Sequence, residues 1–156
     1  MKPASTWLSE YGESHQHPLN VIIHTICVPL IMLSLVALLS TISIESKLLQ
    51  NFYNLNHAGI VLVVFALVYY FFLSIPFFAG MIPVSFLLIV GTQWLDSFSI
   101  PLCKLSLFIF LVAWMGQFYG HKVEGKKPSF FKDVQFLLIG PLWLLSKLYR
   151  RYGIIY

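Results

Sequence analysis

Long stretches of this chain carry almost no charged side chains, and this feature restricts its possible folds more than any other. Hydrophobic residues make up 58% of the 156 residues, and charged residues make up 10%. A soluble domain has about 25% charged residues, so this chain has too few to cover a surface that faces water. An apolar helix of about 20 residues crosses the hydrocarbon core of a bilayer. The sequence therefore predicts an all-α, multi-pass membrane protein in a lipid bilayer.

The apolar runs predict one integral membrane domain over residues 1–156, built as a four-span transmembrane helical bundle. The predicted spans cover about 19–40, 57–78, 82–97 and 102–119. Between the second and third spans, Pro76, Gly80 and Pro83 predict a tight turn, because proline and glycine commonly interrupt regular structure.

Two shorter segments are predicted to lie at the ends of the bundle. Residues 6–17 are expected to form an N-terminal interfacial helix or turn, since Trp7 and Tyr11 favour the boundary between membrane and water. Residues 130–149 are apolar but are interrupted by Gly140-Pro141. The part of it without charged side chains, 134–145, would reach only about 18 Å as a helix. We therefore expect a C-terminal re-entrant or interfacial helix, and a fifth span stays open as an alternative.

The distribution of basic residues predicts the orientation of the chain. With four spans, one side of the membrane holds eight of the ten Lys and Arg residues, and the other side holds Lys47 and Lys104. Cytoplasmic loops carry an excess of such residues, so both termini are predicted to be cytoplasmic. Because the basic residues flank membrane segments, they favour contact with anionic lipid headgroups and give no indication of nucleic-acid binding.

Two groups of polar residues lie at the ends of predicted spans. They are Tyr11, His15, His17, Asn20 and His24 in the first group, and Gln117, His121 and Glu124 in the second. The second group is spaced four and three residues apart, so its members share one helix face. The first span starts, and the fourth span ends, at the same membrane surface. The topology therefore predicts that four histidines converge there, whereas His57 lies about a membrane thickness away.

The residue types in these groups suit a metal site. Neutral imidazoles with a carboxylate bind iron or another transition metal, and an open coordination position admits oxygen and substrate. We expect Tyr11, Asn20 and Gln117 to orient the ligands. The basic residues after the fourth span, Lys122, Lys126 and Lys127, are expected to hold an acidic headgroup. The alternative for each polar residue is an ordinary interfacial position, with Glu124 in a surface ion pair.

At these positions the chain resembles a known family. The patterns Tyr11-x3-His15-x4-Asn20-x3-His24-x4-Pro29 and Gln117-x2-Gly120-His121-x2-Glu124-x3-Pro128 are similar to those of the 2-hydroxy fatty acid dioxygenases. These are small multi-pass proteins of the fungal endoplasmic reticulum and of bacteria. The likeness covers about the first 30 residues and the region 117–141, and the middle spans match only in hydrophobicity.

The resemblance implies an Fe(2+)-dependent enzyme of fatty acid alpha-oxidation. Its expected substrates are a long-chain 2-hydroxy fatty acid and O2, and its product is the fatty acid shortened by one carbon. The implied iron ligands are His15, His24 and His121, with Glu124 as a fourth ligand or a base. The implied location is a bacterial inner membrane or an endoplasmic reticulum membrane. Oligomeric state, and whether His17 replaces His15, stay open.

Two other functions remain as alternatives. A haem-binding protein of the cytochrome b type would use His24 and His121 as axial ligands within a four-helix bundle. A non-enzymatic membrane scaffold or small transporter would need no metal. A transporter would place polar residues near the bilayer midplane, whereas here they gather at one surface.

Overall fold

The computed structural model describes residues 2–44, 56–125 and 136–156, and these residues fold into six α-helices without a β-strand. The helices are α1 (Ala4–Gly12), α2 (Pro18–Ser40), α3 (Ala58–Leu73), α4 (Ile75–Asp96), α5 (Leu102–Val123) and α6 (Ile139–Arg151). The predicted all-α fold is confirmed for the described part of the chain.

Three of the described helices, rather than the predicted four, are long and apolar enough to span a membrane. They are α2, α4 and α5, with 23, 22 and 22 residues. Helix α3 is equally apolar but has 16 residues, about 24 Å in length, against a hydrocarbon core of about 30 Å. The predicted span over 57–78 is therefore wrong as drawn, because the helix ends at Leu73. These three apolar helices nevertheless indicate a multi-pass membrane protein.

The break between α3 and α4 lies at Ser74, not at the predicted turn around Pro76, Gly80 and Pro83. Ser74 is extended, with φ −169° and ψ 125°, and its N–H donates to the Tyr70 carbonyl over 2.9 Å. Pro76 lies in the first turn of α4, where its missing N–H leaves no hydrogen bond unmade. Pro83 lies within α4, and prolines are tolerated in apolar helices whose neighbours satisfy the freed carbonyl groups. Helix α4 is consequently longer than the predicted span over 82–97.

Helices α2 and α5 form the most extensive helix pair, and glycines allow their close approach. A Cβ atom at Gly116 would lie 2.7 Å from the Cys27 sulfur, and one at Gly120 would collide with the Asn20 side-chain oxygen. Two small residues four apart on one face let helix backbones pack closely in a membrane. The start of α2 therefore lies beside the end of α5. Both helices fit the predicted spans, although α5 continues four residues further, to Val123.

Helices α1 and α6 pack on each other at one end of the bundle. Helix α6 has 13 residues, about 20 Å, so it is a non-spanning helix as expected, although it begins only at Ile139. The Tyr149 hydroxyl donates to the Pro76 carbonyl over 2.6 Å, and the Tyr70 hydroxyl donates to the Leu138 carbonyl over 2.9 Å. These bonds fix α6 to the α3–α4 hairpin. The predicted segment's first residues, 130–135, lie outside the described part.

The outer surfaces of the long helices are apolar. Large exposed side chains include Phe65, Phe72, Phe86, Phe108 and Met115. A soluble protein rarely exposes so continuous an apolar surface, whereas a bilayer solvates it.

Candidate metal centre

Three histidines from different parts of the chain meet at the end of the bundle where α2 begins and α5 ends. His15 lies in the loop after α1, His24 lies in α2 and His121 lies in α5. Their rings are buried, with 6%, 1% and 6% of their surface exposed. The ring centroids of His15 and His24 are 4.2 Å apart, those of His24 and His121 are 4.9 Å apart, and those of His15 and His121 are 5.4 Å apart. We call these three residues the histidine cluster.

Hydrogen bonds fix the tautomer that two of these rings adopt when they are neutral. The Nδ1–H of His15 donates to the Tyr11 carbonyl over 2.6 Å, and the Nδ1–H of His24 donates to the Asn20 carbonyl over 3.1 Å. A carbonyl oxygen only accepts, so the proton lies on Nδ1 and the lone pair lies on Nε2. Metal-ligating histidines commonly make this second hydrogen bond, which orients the ring towards the ion.

The histidine cluster fits a metal ion. One ligating nitrogen from each histidine lies within 4.8 Å of the other two. A metal–imidazole bond is about 2.1 Å long, so nitrogens on one ion lie up to about 4.2 Å apart, a spacing that small ring movements reach. Imidazole nitrogens suit zinc, copper, iron and nickel alike. The cluster therefore supports a transition-metal site and leaves the choice of metal to other observations.

Aromatic rings from α1 and α6 enclose His15. The Tyr11 ring stacks on it at 4.1 Å and 8°, and the Trp143 ring lies 5.1 Å away at 49°. The Lys147 ammonium lies 3.4 Å from the centroid of the Trp143 ring. These rings separate the imidazole from water. Trp143 was not expected from the sequence, since nothing in its spacing connects it with the two polar groups.

A cavity of about 30 Å³ opens beside the histidine cluster. Its lining combines polar and apolar side chains: Tyr11, His24, Val28, Ile31, Trp114, Gln117, His121, Phe136, Leu137 and Gly140. The Gln117 side chain is buried, with 7% exposed, and lies next to His24. The volume holds roughly one or two water-sized groups. Small ligands at the cluster would meet an amide on one side and hydrocarbon on the other.

Glu124 lies near the histidine cluster, but its carboxylate accepts hydrogen bonds from the α1–α2 loop and from Asn20. Its oxygens accept hydrogen bonds from the N–H groups of Gln16 and His17, over 2.9 and 2.8 Å, and from the Asn20 amide over 3.0 Å. Burial raises the pKa of this carboxyl, but the three hydrogen bonds outweigh burial and leave the pKa below its ordinary value. The same Asn20 amide also donates to the Ser14 carbonyl over 2.9 Å. Glu124 thus fixes the loop between α1 and α2 to the end of α5.

Among the described residues, the other candidates do not belong to the cluster. His17 is exposed at the N-terminus of α2, where its Nδ1 accepts from the Leu19 N–H over 3.2 Å. His57 lies at the opposite end of the bundle, in a polar cavity with Ser40 and Asp96. Lys122 is exposed in the last turn of α5. The other two lysines predicted to hold a headgroup, Lys126 and Lys127, lie outside the described residues.

Comparison with known proteins identifies relatives of the whole chain. Residues 1–152 match the model of the family described as Mpo1-like, 2-hydroxy-palmitic acid dioxygenase Mpo1-like. The 2-hydroxy-palmitic acid dioxygenase MPO1 of Saccharomyces cerevisiae is 27% identical over 148 residues, which cover 94% of this chain and 79% of the yeast protein. No solved structure matches the chain.

Proposed function

The chain belongs to the Mpo1-like family, and on that premise we propose that it is an Fe(2+)-dependent dioxygenase of long-chain 2-hydroxy fatty acids. The product would be the fatty acid shortened by one carbon. The observation that carries this proposal is the buried histidine cluster, whose three imidazoles fit one metal ion at the end of an apolar bundle. The yeast relative, named as a 2-hydroxy-palmitic acid dioxygenase, supports the choice of substrate.

In this proposal His15, His24 and His121 hold the iron, and three protein ligands leave coordination positions open. When bound, iron supplies the redox chemistry that joins O2 to the 2-hydroxy acid. The reaction balances when the 2-hydroxy acid and O2 give the shortened acid, CO2 and water, because the electrons lost by the substrate reduce the oxygen.

The surrounding residues would bind the substrate and keep out water. Gln117 lines the cavity beside His24, so its amide is placed to donate to the substrate carboxylate. The rings of Tyr11 and Trp143 exclude solvent from His15. Glu124, which the sequence also offers as a ligand or base, is proposed here as a positioning residue because its carboxylate already accepts three hydrogen bonds.

The proposal also includes the membrane setting. A substrate with an acidic head and an apolar tail reaches the cluster from the bilayer surface, where Lys122, Lys126 and Lys127 would attract the carboxylate. We keep the prediction that this surface is cytoplasmic, in a bacterial inner membrane or in the endoplasmic reticulum, since eight of the ten basic residues were assigned to it.

The geometry does not favour the two alternatives. A haem needs space for its macrocycle between its axial ligands, but the His24 and His121 rings lie 4.9 Å apart and meet edge to face. A scaffold gives no reason for three imidazoles from distant parts of the chain to bring their ligating nitrogens within 4.8 Å of one another.

The test is metal analysis and product detection on the purified protein in detergent. Supplied with Fe(2+), 2-hydroxypalmitate and O2, the protein should consume oxygen and release the acid shortened by one carbon. The His121→Ala variant should bind no iron and form no product, whereas His57→Ala serves as the matched control and should do both. A Soret band, or iron binding unaffected by His121→Ala, would contradict the proposal.

A further inference from the structure

A second cavity shares one lining residue, Leu137, with the cavity beside the histidine cluster. It has a volume of about 50 Å³ and lies between α2, α3 and α4. The turn before α6 separates the two cavities. Phe136 and Leu137 line the first cavity, and Leu137 and Leu138 line the second. One side chain, Leu137, therefore borders both spaces.

One stripe of helix α2 runs along both cavities. His24, Val28 and Ile31 border the first cavity, and Leu35 borders the second. Residues spaced by three and four share a helix face, so these four side chains form a continuous line. At about 1.5 Å per residue, the line extends about 16 Å along the helix axis. It leads from an imidazole to an apolar space deeper in the bundle.

The second cavity is lined almost entirely by hydrocarbon. Helix α3 contributes Val63, Ala66 and Tyr70, which again lie on one face of their helix. The Tyr70 hydroxyl is already occupied, since it donates to the Leu138 carbonyl over 2.9 Å. A polar molecule would gain few hydrogen bonds here, whereas an alkyl chain would lose none.

We propose that the acyl tail of the substrate passes Leu137 and lies in this second cavity beside Val63, so that long tails depend on this path and short tails do not. The inference rests on the proposed function, which places the carboxylate and hydroxyl group at the histidine cluster. Together the two cavities are smaller than a whole long-chain tail. Part of the tail therefore lies in the cavities, and its end leaves the bundle for the surrounding lipid.

Two neighbouring valines of α3 offer a matched test. Val63 lines the cavity and is 6% exposed, whereas Val64, one residue further on, is 53% exposed and faces outward. Val63→Phe should lower the ratio of kcat/KM for 2-hydroxypalmitate to that for 2-hydroxyoctanoate by about tenfold, because the added ring fills the tail's path. Val64→Phe should leave this ratio unchanged. An unchanged ratio in Val63→Phe would overturn the proposal.

Crosslinking of the unmodified protein gives a second readout that needs neither folding of a variant nor turnover. A 2-hydroxy fatty acid with a diazirine at mid-chain, irradiated with the protein in detergent, should label Val63, Ala66 or Leu138. Labelling confined to outward-facing residues such as Val64 would overturn the proposal. Labelling in the cavity by a protein that forms no shortened acid would support the tail's path and refute the proposed reaction, so the two failures are distinguishable.

Discussion

Each of the two cluster histidines in the first part of the chain, His15 and His24, donates to the carbonyl group four residues before it. Tyr11 supplies the acceptor for His15, and Asn20 supplies it for His24. These acceptors belong to the same stretch of backbone as the imidazoles, so the local fold alone sets each tautomer. Substituting the side chain of Tyr11 or Asn20 leaves the acceptor in place. Both Nε2 lone pairs are thereby prepared for an ion.

Removal of any imidazole of the cluster should abolish metal binding. In His15→Ala, His24→Ala and His121→Ala, the expected loss of affinity exceeds about 100-fold, because two ligands remain of three. Isothermal titration with Fe(2+) or Co(2+) under anaerobic conditions measures this loss. His57→Ala, at the other end of the bundle, should bind as the unmodified protein does. An equal loss in His57→Ala would mean that the site lies elsewhere.

The contribution of Glu124 to stability should depend on pH. Its pKa in the folded protein lies below the ordinary value of 4.5, because three hydrogen bonds favour the charged form. A group with a lowered folded-state pKa stabilises the fold above its unfolded pKa, and this stabilisation is lost as pH falls through the folded pKa.

The expected result is that Glu124→Gln lowers the unfolding midpoint at pH 7 by about 2–4 °C, as for a net loss of about 1 kcal/mol. The difference should shrink once the pH drops below 4.5. Thermal unfolding in detergent at pH 7, 5 and 3.5 checks it. Glu13→Gln, an exposed control, should leave the unfolding midpoint at pH 7 unchanged. A difference that grows on acidification would contradict the assigned hydrogen bonds.

At the residue level, the sequence predicted that four histidines converge, whereas His15, His24 and His121 do and His17 does not. It also left two roles open. Spacing could not choose between His15 and His17. The structure places His15 in the cluster, because Tyr11 offers its carbonyl there, and puts His17 at the N-terminus of α2 before Pro18. Nor does spacing tell whether Glu124 faces an ion or a loop, since the bend of the α1–α2 loop decides it.

Among the elements, the pairing of α2 with α5 depends on the absence of a side chain at Gly120. A Cβ there would collide with the Asn20 side-chain oxygen and lie 3.3 Å from the His24 ring. Asn20 cannot easily move aside, since it is fully buried and its amide donates to Ser14 and Glu124. Any side chain at this position therefore separates the two helices that carry His24 and His121.

Gly120→Ala should weaken metal binding by about 10- to 100-fold, the range found when residues around metal ligands are disturbed. The protein should remain helical, as circular dichroism checks, because alanine favours a helix more than glycine does. Gly12→Ala is the matched control: a Cβ at Gly12 would meet only Trp143, at an ordinary 3.6 Å. Equal affinities in the two variants would contradict the role given to Gly120.

Hydrophobicity predicted α2 and α5 well, because a long apolar segment in a bilayer must satisfy its backbone hydrogen bonds internally and therefore forms a helix. Prolines misled the prediction at α4, where Pro76 lies in the first turn and Pro83 lies within the helix. The span predicted over 57–78 is too long because the turn was expected at Pro76, Gly80 and Pro83, whereas α3 ends at Leu73. Docking of α6 could not be predicted, since its contacts with α1 and the α3–α4 hairpin are tertiary. The Gly116-x3-Gly120 pattern was present in the sequence and would have indicated the α2–α5 contact.

Across the whole molecule, the histidine cluster and His57 mark opposite ends of the bundle. Ser43 pairs with His57 through an isolated bridge, so both lie at the end where α2 finishes. Glu13 lies at the other end, in the loop before α2, and is exposed. The predicted orientation gives these two positions different sides of the membrane.

Cysteine labelling in vesicles tests that orientation. With Cys27 and Cys103 replaced by alanine and serine, Glu13→Cys should react with an impermeant maleimide from the cytoplasmic side only. Ser43→Cys should react only from the opposite side, since helix α2 between them is 23 residues long and apolar. Reaction of both from one side would refute the assigned crossing by α2, and a reversal of the two would refute the cytoplasmic location of the cluster.

The division of the histidine cluster between distant parts of the chain has a consequence for biosynthesis. His15 and His24 leave the ribosome early, but His121 follows only after α3, α4 and nearly all of α5 have been made. During most of its translation, the nascent chain therefore carries two of the three imidazoles of the cluster. A metal site that needs all three imidazoles is therefore complete only once α5 has been made.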